Sequence, residues 1–162
     1  MKKIIEKQLF FSLMLEFLSL ISKWEITKKW IQPMTTFFAR VNLKLNKPTK
    51  VNDVRKLAET WKMLMPPDGQ DNFKISSITE DTAFVEIHLK CPLRGTGKVH
   101  TCHSFMNYDR ELVKNIGGNL IVLESQSNSG NTFCKLAIRN SENKVDDLIP
   151  AYLNDKMNLS LL

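Results

Sequence analysis

The chain has 162 residues, of which 43% are hydrophobic and 25% are charged. This composition allows one folded domain with an ordinary core, and it argues against a disordered chain. The net charge is +6, and the three cysteines are an odd number with no convincing signal peptide before them. We therefore expect a cytoplasmic protein with reduced thiols rather than a disulfide scaffold.

The first predicted element is a helix over 5–23, whose apolar run imitates that of a signal peptide. Charged residues at Glu6, Lys7 and Glu16 interrupt the run, which is too short to cross a membrane. We interpret this segment as an amphipathic helix that is buried or forms a homodimer. A helix lying on a membrane surface is the first alternative, and a signal or anchor segment is the second.

Two further helices are predicted in the N-terminal part. Apolar residues recur every three or four positions over 30–45, which indicates a helix with Pro33 in its first turn. Thr49 is predicted to cap a third helix that runs through Met65 and ends at a diproline.

Basic residues are concentrated in this helical part. The first 65 residues carry 13 Lys and Arg against 5 Asp and Glu, whereas the remainder carries 10 against 12. Such a surface could contact the phosphates of a nucleic acid. No aromatic residues alternate with the basic ones and no helix-turn-helix spacing is present, so a solvated helical surface is favoured over nucleic-acid binding.

After the diproline the apolar period changes from helical to two, which predicts strands. The predicted elements are strands over 73–78 and 83–90, a helix over 104–116 ended by Gly117-Gly118, strands over 120–125 and 132–139, and a short helix over 148–153.

These elements predict an α+β fold. N-terminal helices pack on a small four-stranded antiparallel sheet, made of two hairpins that are joined by a Cys-Pro loop and a helix. The domain is expected to span 1–139, with a helical part (1–65) and a ββαββ part (73–139), followed by a C-terminal extension (140–162).

The three cysteines are the main candidate site. Cys91 starts the Cys-Pro loop, Cys102 lies next to His103 at the predicted helix start, and Cys134 lies in a strand on the face expected for Cys91. Together with His103, or alternatively His100, they would supply the four ligands of a tetrahedral zinc site. Zinc is favoured over an iron–sulfur cluster, which usually takes four thiolates. Three ordinary buried thiols are the alternative.

Cys102 also has an interpretation as a nucleophile. A thiol at a helix start beside an imidazole is expected to have a lowered pKa, with His103 as the base. No neighbouring acid is available to orient the base, because Asp109 lies two helical turns further along and need not face the site. Binding is therefore favoured over catalysis.

Several residues resemble those of a known family. They are Cys91-Pro92-Leu93, Cys102 before a helix, Gly117-Gly118, the strand over 120–125, Gly130 and the strand over 134–138. This pattern resembles the methanogen output domain and the wider superfamily of 4-vinyl-reductase-like, haem nitric-oxide-binding, TRAPP-like and thiazoline-carboxylate hydrolase proteins.

The resemblance implies an α+β domain, often dimeric, that encloses a pocket for a small apolar or cofactor-like ligand, with zinc held by cysteines in some members. The expected pocket walls are Phe37, Phe38, Trp61, Phe105, Met106 and Tyr108. The chain lacks the acidic residue that the hydrolase-like relatives tend to carry after the position of Cys134. The predicted function is therefore a small-molecule-binding or sensing domain with a zinc site, and a cysteine-dependent hydrolase is the alternative.

Overall fold

The computed structural model describes residues 16, 17, 20 and 25–153. The predicted helix over 5–23 lies largely outside the described residues. The described part is an α+β fold in which helices pack on a four-stranded antiparallel sheet, and the predicted fold class is confirmed. Within this part of the chain, no helix combines the length and apolar character needed to cross a membrane.

Within the described residues, four α-helices and one 3₁₀ helix precede or connect the strands. They are α1 (Glu25–Asn46), α2 (Val54–Met63), the 3₁₀ helix Pro67–Asn72, α3 (Val99–Phe105) and α4 (Asn107–Asn115). Because α1 begins at Glu25, Pro33 lies inside the helix and not in its first turn as predicted.

The cap of α2 differs from the prediction. Asp53, and not Thr49, precedes the helix, and its Oδ1 accepts a hydrogen bond from the Lys56 backbone N–H at 2.8 Å. The chain before it is held away from a helical path, since the Val51 N–H donates to the Ile116 carbonyl at 2.9 Å. Because of this tertiary hydrogen bond, α2 begins only after Asp53, the next residue that can cap it.

The helix predicted over 104–116 is two helices. A break at Met106 separates α3 from α4, and α3 begins at Val99, well before the predicted start. Cys102 is consequently the fourth residue of α3 and does not lie at a helix start. The prediction that the helix terminus would lower its pKa is therefore wrong.

The sheet contains β1 (Phe73–Ile78), β2 (Ala83–Ile87), β3 (Gly118–Glu124) and β4 (Cys134–Asn140). Their order is β1-β2-β4-β3, and all neighbours are antiparallel. The β2 strand ends three residues before the predicted Lys90, because the chain leaves the sheet after Ile87. Ile87 lies opposite Phe73 on one side and Cys134 on the other, so β1 and β4 begin where β2 ends.

The core lies between one face of the sheet and helices α2 and α4. Trp61 and Leu57 from α2 are fully buried there, as are Val85 and Leu136 from the central strands. The Trp61 ring packs edge-on against Phe73, with 5.5 Å between ring centroids. This contact places α2 against the end of the sheet at which β1 begins.

The segment after β4 packs back on the domain. Asp147 accepts two hydrogen bonds from the Arg139 guanidinium, at 2.5 and 2.7 Å. Ala151 is buried in the core cluster, and the Tyr152 ring lies 4.2 Å from that of His103. Described residues of the predicted extension are thus part of the same packed unit.

Candidate functional site

The three cysteines line one pocket at the end of the sheet where β2 and β3 end and β4 begins. Cys134 is the first residue of β4, Cys91 follows β2 in the loop that leaves the sheet, and Cys102 reaches the same space from α3. The cavity measures about 90 Å³, and its walls are mainly apolar. Exposed Lys90 and Pro92 are part of its lining and mark the side on which solvent reaches it.

Each of the three thiols accepts a hydrogen bond from a neighbouring residue. The Ser125 hydroxyl donates to Cys102 Sγ at 3.0 Å. A backbone N–H donates to each of the other two sulfurs at 3.4 Å, from Gln126 to Cys134 and from Leu93 to Cys91. These bonds hold the three sulfurs in place around the cavity.

Burial keeps the three thiols protonated. It raises the pKa of Cys102 to about 11 and that of Cys134 to about 12, and it raises the pKa of Cys91 as well. The neighbouring thiols raise the pKa values of Cys102 and Cys134 further, because two thiolates in one pocket would repel each other. The pocket therefore presents neutral, polarizable sulfur near neutral pH.

His103 does not join the cysteines. Its ring packs against Tyr152 and its Nδ1 lies 3.4 Å from an Arg110 guanidinium nitrogen, outside the pocket lining. Burial, with help from Arg110 and His100, lowers the pKa of His103 to about 4, so the ring is neutral at pH 7. Among the described contacts, no hydrogen bond joins His103 to Cys102. The structure thus separates the base from the nucleophile of the predicted catalytic pair.

A metal ion would need a closer cluster than the structure shows. Within the described ranges, no three His, Cys, Asp or Glu side chains are arranged to hold a metal ion. Three thiols in one pocket are the soft donors that zinc prefers. Zinc and the iron–sulfur cluster stay predictions from the sequence.

The predicted pocket walls divide into two groups. Phe105, Met106 and Tyr108 line the cavity. Trp61 lies behind the lining, and Phe37 and Phe38 lie elsewhere on α1, where the Phe37 side chain is 62% exposed. Helical periodicity placed these three residues on faces of helices, but it did not determine which faces meet the cysteines.

Gln126 is a pocket residue that the sequence did not reveal. Its side chain is 1% exposed and ties the loop after β2 to the turn after β3. The Nε2 donates to the Leu89 carbonyl at 2.8 Å, and the Oε1 accepts from the Arg94 Nε at 2.7 Å. No local pattern distinguishes this residue from the polar loop that follows it.

Asp109 is the second residue that sequence reasoning missed, and here a signal exists. It lies four residues after Phe105 and three before Leu112, on the apolar stripe of the predicted helix. Asp109 lines the pocket and is only 8% exposed. The expectation that it need not face the site is overturned, since it lies in the same cavity wall as Cys102.

Comparisons with protein families, with curated proteins and with solved structures return no match for this chain. The resemblance to the methanogen output domain and its superfamily stays a prediction from the residue pattern.

Proposed function

We propose that this chain is a small-molecule-binding domain whose ligand occupies the cysteine-lined pocket. The observation that carries the proposal is the convergence of Cys91, Cys102 and Cys134 on one cavity, from three separate segments. Concave apolar sites with a few polar groups are the usual form of ligand pockets. Thiols that are buried and protonated add polarizable surface to such a wall.

The dimensions of the cavity favour a small ligand. An apolar cavity of roughly 150 Å³ accommodates benzene, and this cavity of about 90 Å³ also has an open side at Lys90 and Pro92. The interior is smaller than that cavity, so a ligand with a single small ring would extend partly into the open side. Phe73, Phe105 and Met106 supply the apolar contacts.

The pocket chemistry favours binding over the hydrolase alternative. A cysteine nucleophile needs a thiolate and a base in contact with it. Burial raises the pKa of Cys102, and the His103 ring contacts Tyr152 and Arg110 instead. Neither requirement is met in this arrangement.

Toluene binding tests the proposal. We expect saturable binding to the wild-type protein, observed by ligand-detected NMR, and its loss in Leu89→Trp, because the larger ring fills the cavity that Leu89 lines. Leu123→Trp is the matched control, since Leu123 is also half-buried but lies in β3 outside the lining. Cys91→Phe serves as a second blocking variant, with circular dichroism to verify folding.

Two results would count against this function. One is the absence of saturable toluene binding to the folded wild-type protein. The other is binding that Leu89→Trp and Cys91→Phe leave unchanged while both variants remain folded.

A zinc ion in this pocket is a separate part of the proposal. It requires the three cysteines to move together and lose their protons on binding, which links metal affinity to pH. We expect stoichiometric zinc in protein purified without chelators, and its loss when Cys91, Cys102 or Cys134 is changed to Ser. Metal-free protein that also fails to bind added zinc would exclude the ion without affecting the toluene result.

A further inference from the structure

Asp109 is a buried carboxyl group with unused hydrogen-bonding capacity. Its Oδ1 accepts a hydrogen bond from the Trp61 indole N–H at 2.9 Å. Its Oδ2 has no hydrogen-bond partner among the described residues, although the side chain is more than nine-tenths buried and lines the cavity. The Oδ2 atom is not fully enclosed, so it is open to a donor that enters the pocket, while the burial of the rest of the group disfavours its charged form.

No cation of the described residues forms an ion pair with this carboxylate, although the charge of the adjacent Arg110 lowers its pKa. The Arg110 guanidinium donates to the His103 carbonyl at 2.5 Å and lies beside the imidazole of that residue. Lys90 lies in the pocket lining but is exposed at its mouth.

Asp109 is ionised at slightly alkaline pH. Burial raises the pKa of its carboxyl group to about 6, which is still below that pH range. The interior of an apolar pocket therefore holds a negative charge with one free oxygen. Such an arrangement is unfavourable for stability and is typical of a site where a ligand supplies the missing partner.

We propose that the pocket ligand is a small apolar amine, whose protonated nitrogen donates to Asp109 while its ring packs on Phe105 and Met106. This inference rests on the proposed binding function and names the ligand class. A protonated amine supplies both the positive charge and the N–H donor that the carboxylate lacks. Hydrogen bonds between charged partners are about twice as strong as neutral ones.

A comparison of the affinities for benzylamine and toluene separates the contribution of the positive charge from that of the ring. We expect wild-type protein to bind protonated benzylamine at least about tenfold more tightly than toluene at slightly alkaline pH. In Asp109→Asn the preference is expected to disappear, whereas toluene binding is retained because the asparagine keeps the shape and the acceptor for Trp61. Isothermal titration calorimetry measures both ligands on both proteins.

The control variant is Glu111→Gln, which removes a carboxylate from the same helix but outside the pocket lining. It is expected to keep the preference for benzylamine. If toluene binds but benzylamine has no advantage, or if Asp109→Asn keeps that advantage, the inference fails and the binding function stands. If neither ligand binds the wild-type protein, both fail together.

Discussion

Asp109 is an acidic residue in a mainly apolar pocket wall, where burial disfavours its charged form. The carboxyl group takes one hydrogen bond from Trp61 and otherwise sits in an apolar wall. Its position on the apolar stripe of a helix was readable from the sequence, but its inward orientation depends on how α4 packs on the sheet. A buried acid on such a stripe is therefore a signal for a functional site.

The raised pKa of Asp109 also predicts how the stability of the protein depends on pH. The folded pKa of Asp109, about 6, lies above the ordinary value of 3.8, so the folded state holds this proton more tightly. Its contribution to the free energy of unfolding therefore falls as pH rises from about 4 to about 6, by up to roughly 3 kcal/mol. We expect Asp109→Asn to gain stability over the wild type across this window, as measured by urea denaturation at several pH values.

Comparison with the variant is needed because His103 acts in the opposite direction. Its folded pKa, about 4, lies below the ordinary value of 6.5, so its contribution to stability grows as pH rises through the same range. When the free energies of unfolding of wild type and Asp109→Asn are subtracted at each pH, the His103 contribution cancels because both proteins contain it. A difference that stays constant with pH would show that Asp109 is not a perturbed buried acid.

The thiols make a prediction for reactivity. Burial raises the pKa of both Cys102 and Cys134, and both are buried side chains, whereas Cys91 is half-buried. We expect iodoacetamide near neutral pH to label Cys91 first. Cys102 and Cys134 should react at least about a hundredfold more slowly than in the unfolded chain.

Peptide mass spectrometry over time measures the three labelling rates, with urea-unfolded protein as the reference. Preferential labelling of Cys102 would contradict the neutral thiol wall and would favour the nucleophile interpretation instead.

At the scale of elements, two junctions place the site. The break at Met106 divides the predicted helix and turns α3 so that Cys102 meets the end of the sheet. The turn from α4 to β3 passes through Gly117, whose φ is 103° and whose added Cβ would lie 2.9 Å from the Val51 carbonyl oxygen. The second junction needs glycine both for its backbone angle and for the close approach of another segment.

This junction gives a prediction that separates the two requirements. Gly117→Ala should destabilise the protein through both backbone strain and the clash with Val51. Gly130→Ala is the control, because Gly130 has a φ of 75° but no atom near its added Cβ. We expect a cost of about 1–2 kcal/mol for the control and roughly 1–3 kcal/mol more for Gly117→Ala.

Equilibrium urea denaturation of the two variants and the wild type measures these costs. Equal losses of stability in the two variants would show that the approach of Val51 does not constrain this turn.

At the scale of the whole molecule, the pocket is assembled by segments that are distant in sequence. Three segments meet at one end of the sheet, namely the loop after β2, the helix α3 and the turn between β3 and β4. Gln126, which lies in that turn, donates a hydrogen bond to the Leu89 carbonyl in the loop after β2. Register explains part of this meeting, since antiparallel pairing puts Cys134 opposite Ile87. The remainder comes from the packing of α3 and α4 over that end of the sheet.

The sequence by itself determined the α+β class, the β1 strand from Phe73 to Ile78 and the glycine turn before β3, because apolar period and turn chemistry act over a few neighbouring residues. Only the tertiary structure decided that Asp109 faces the cysteines and that His103 does not. Those orientations depend on how helices pack against a distant sheet, and local pattern carries no information about which face of a short helix meets it.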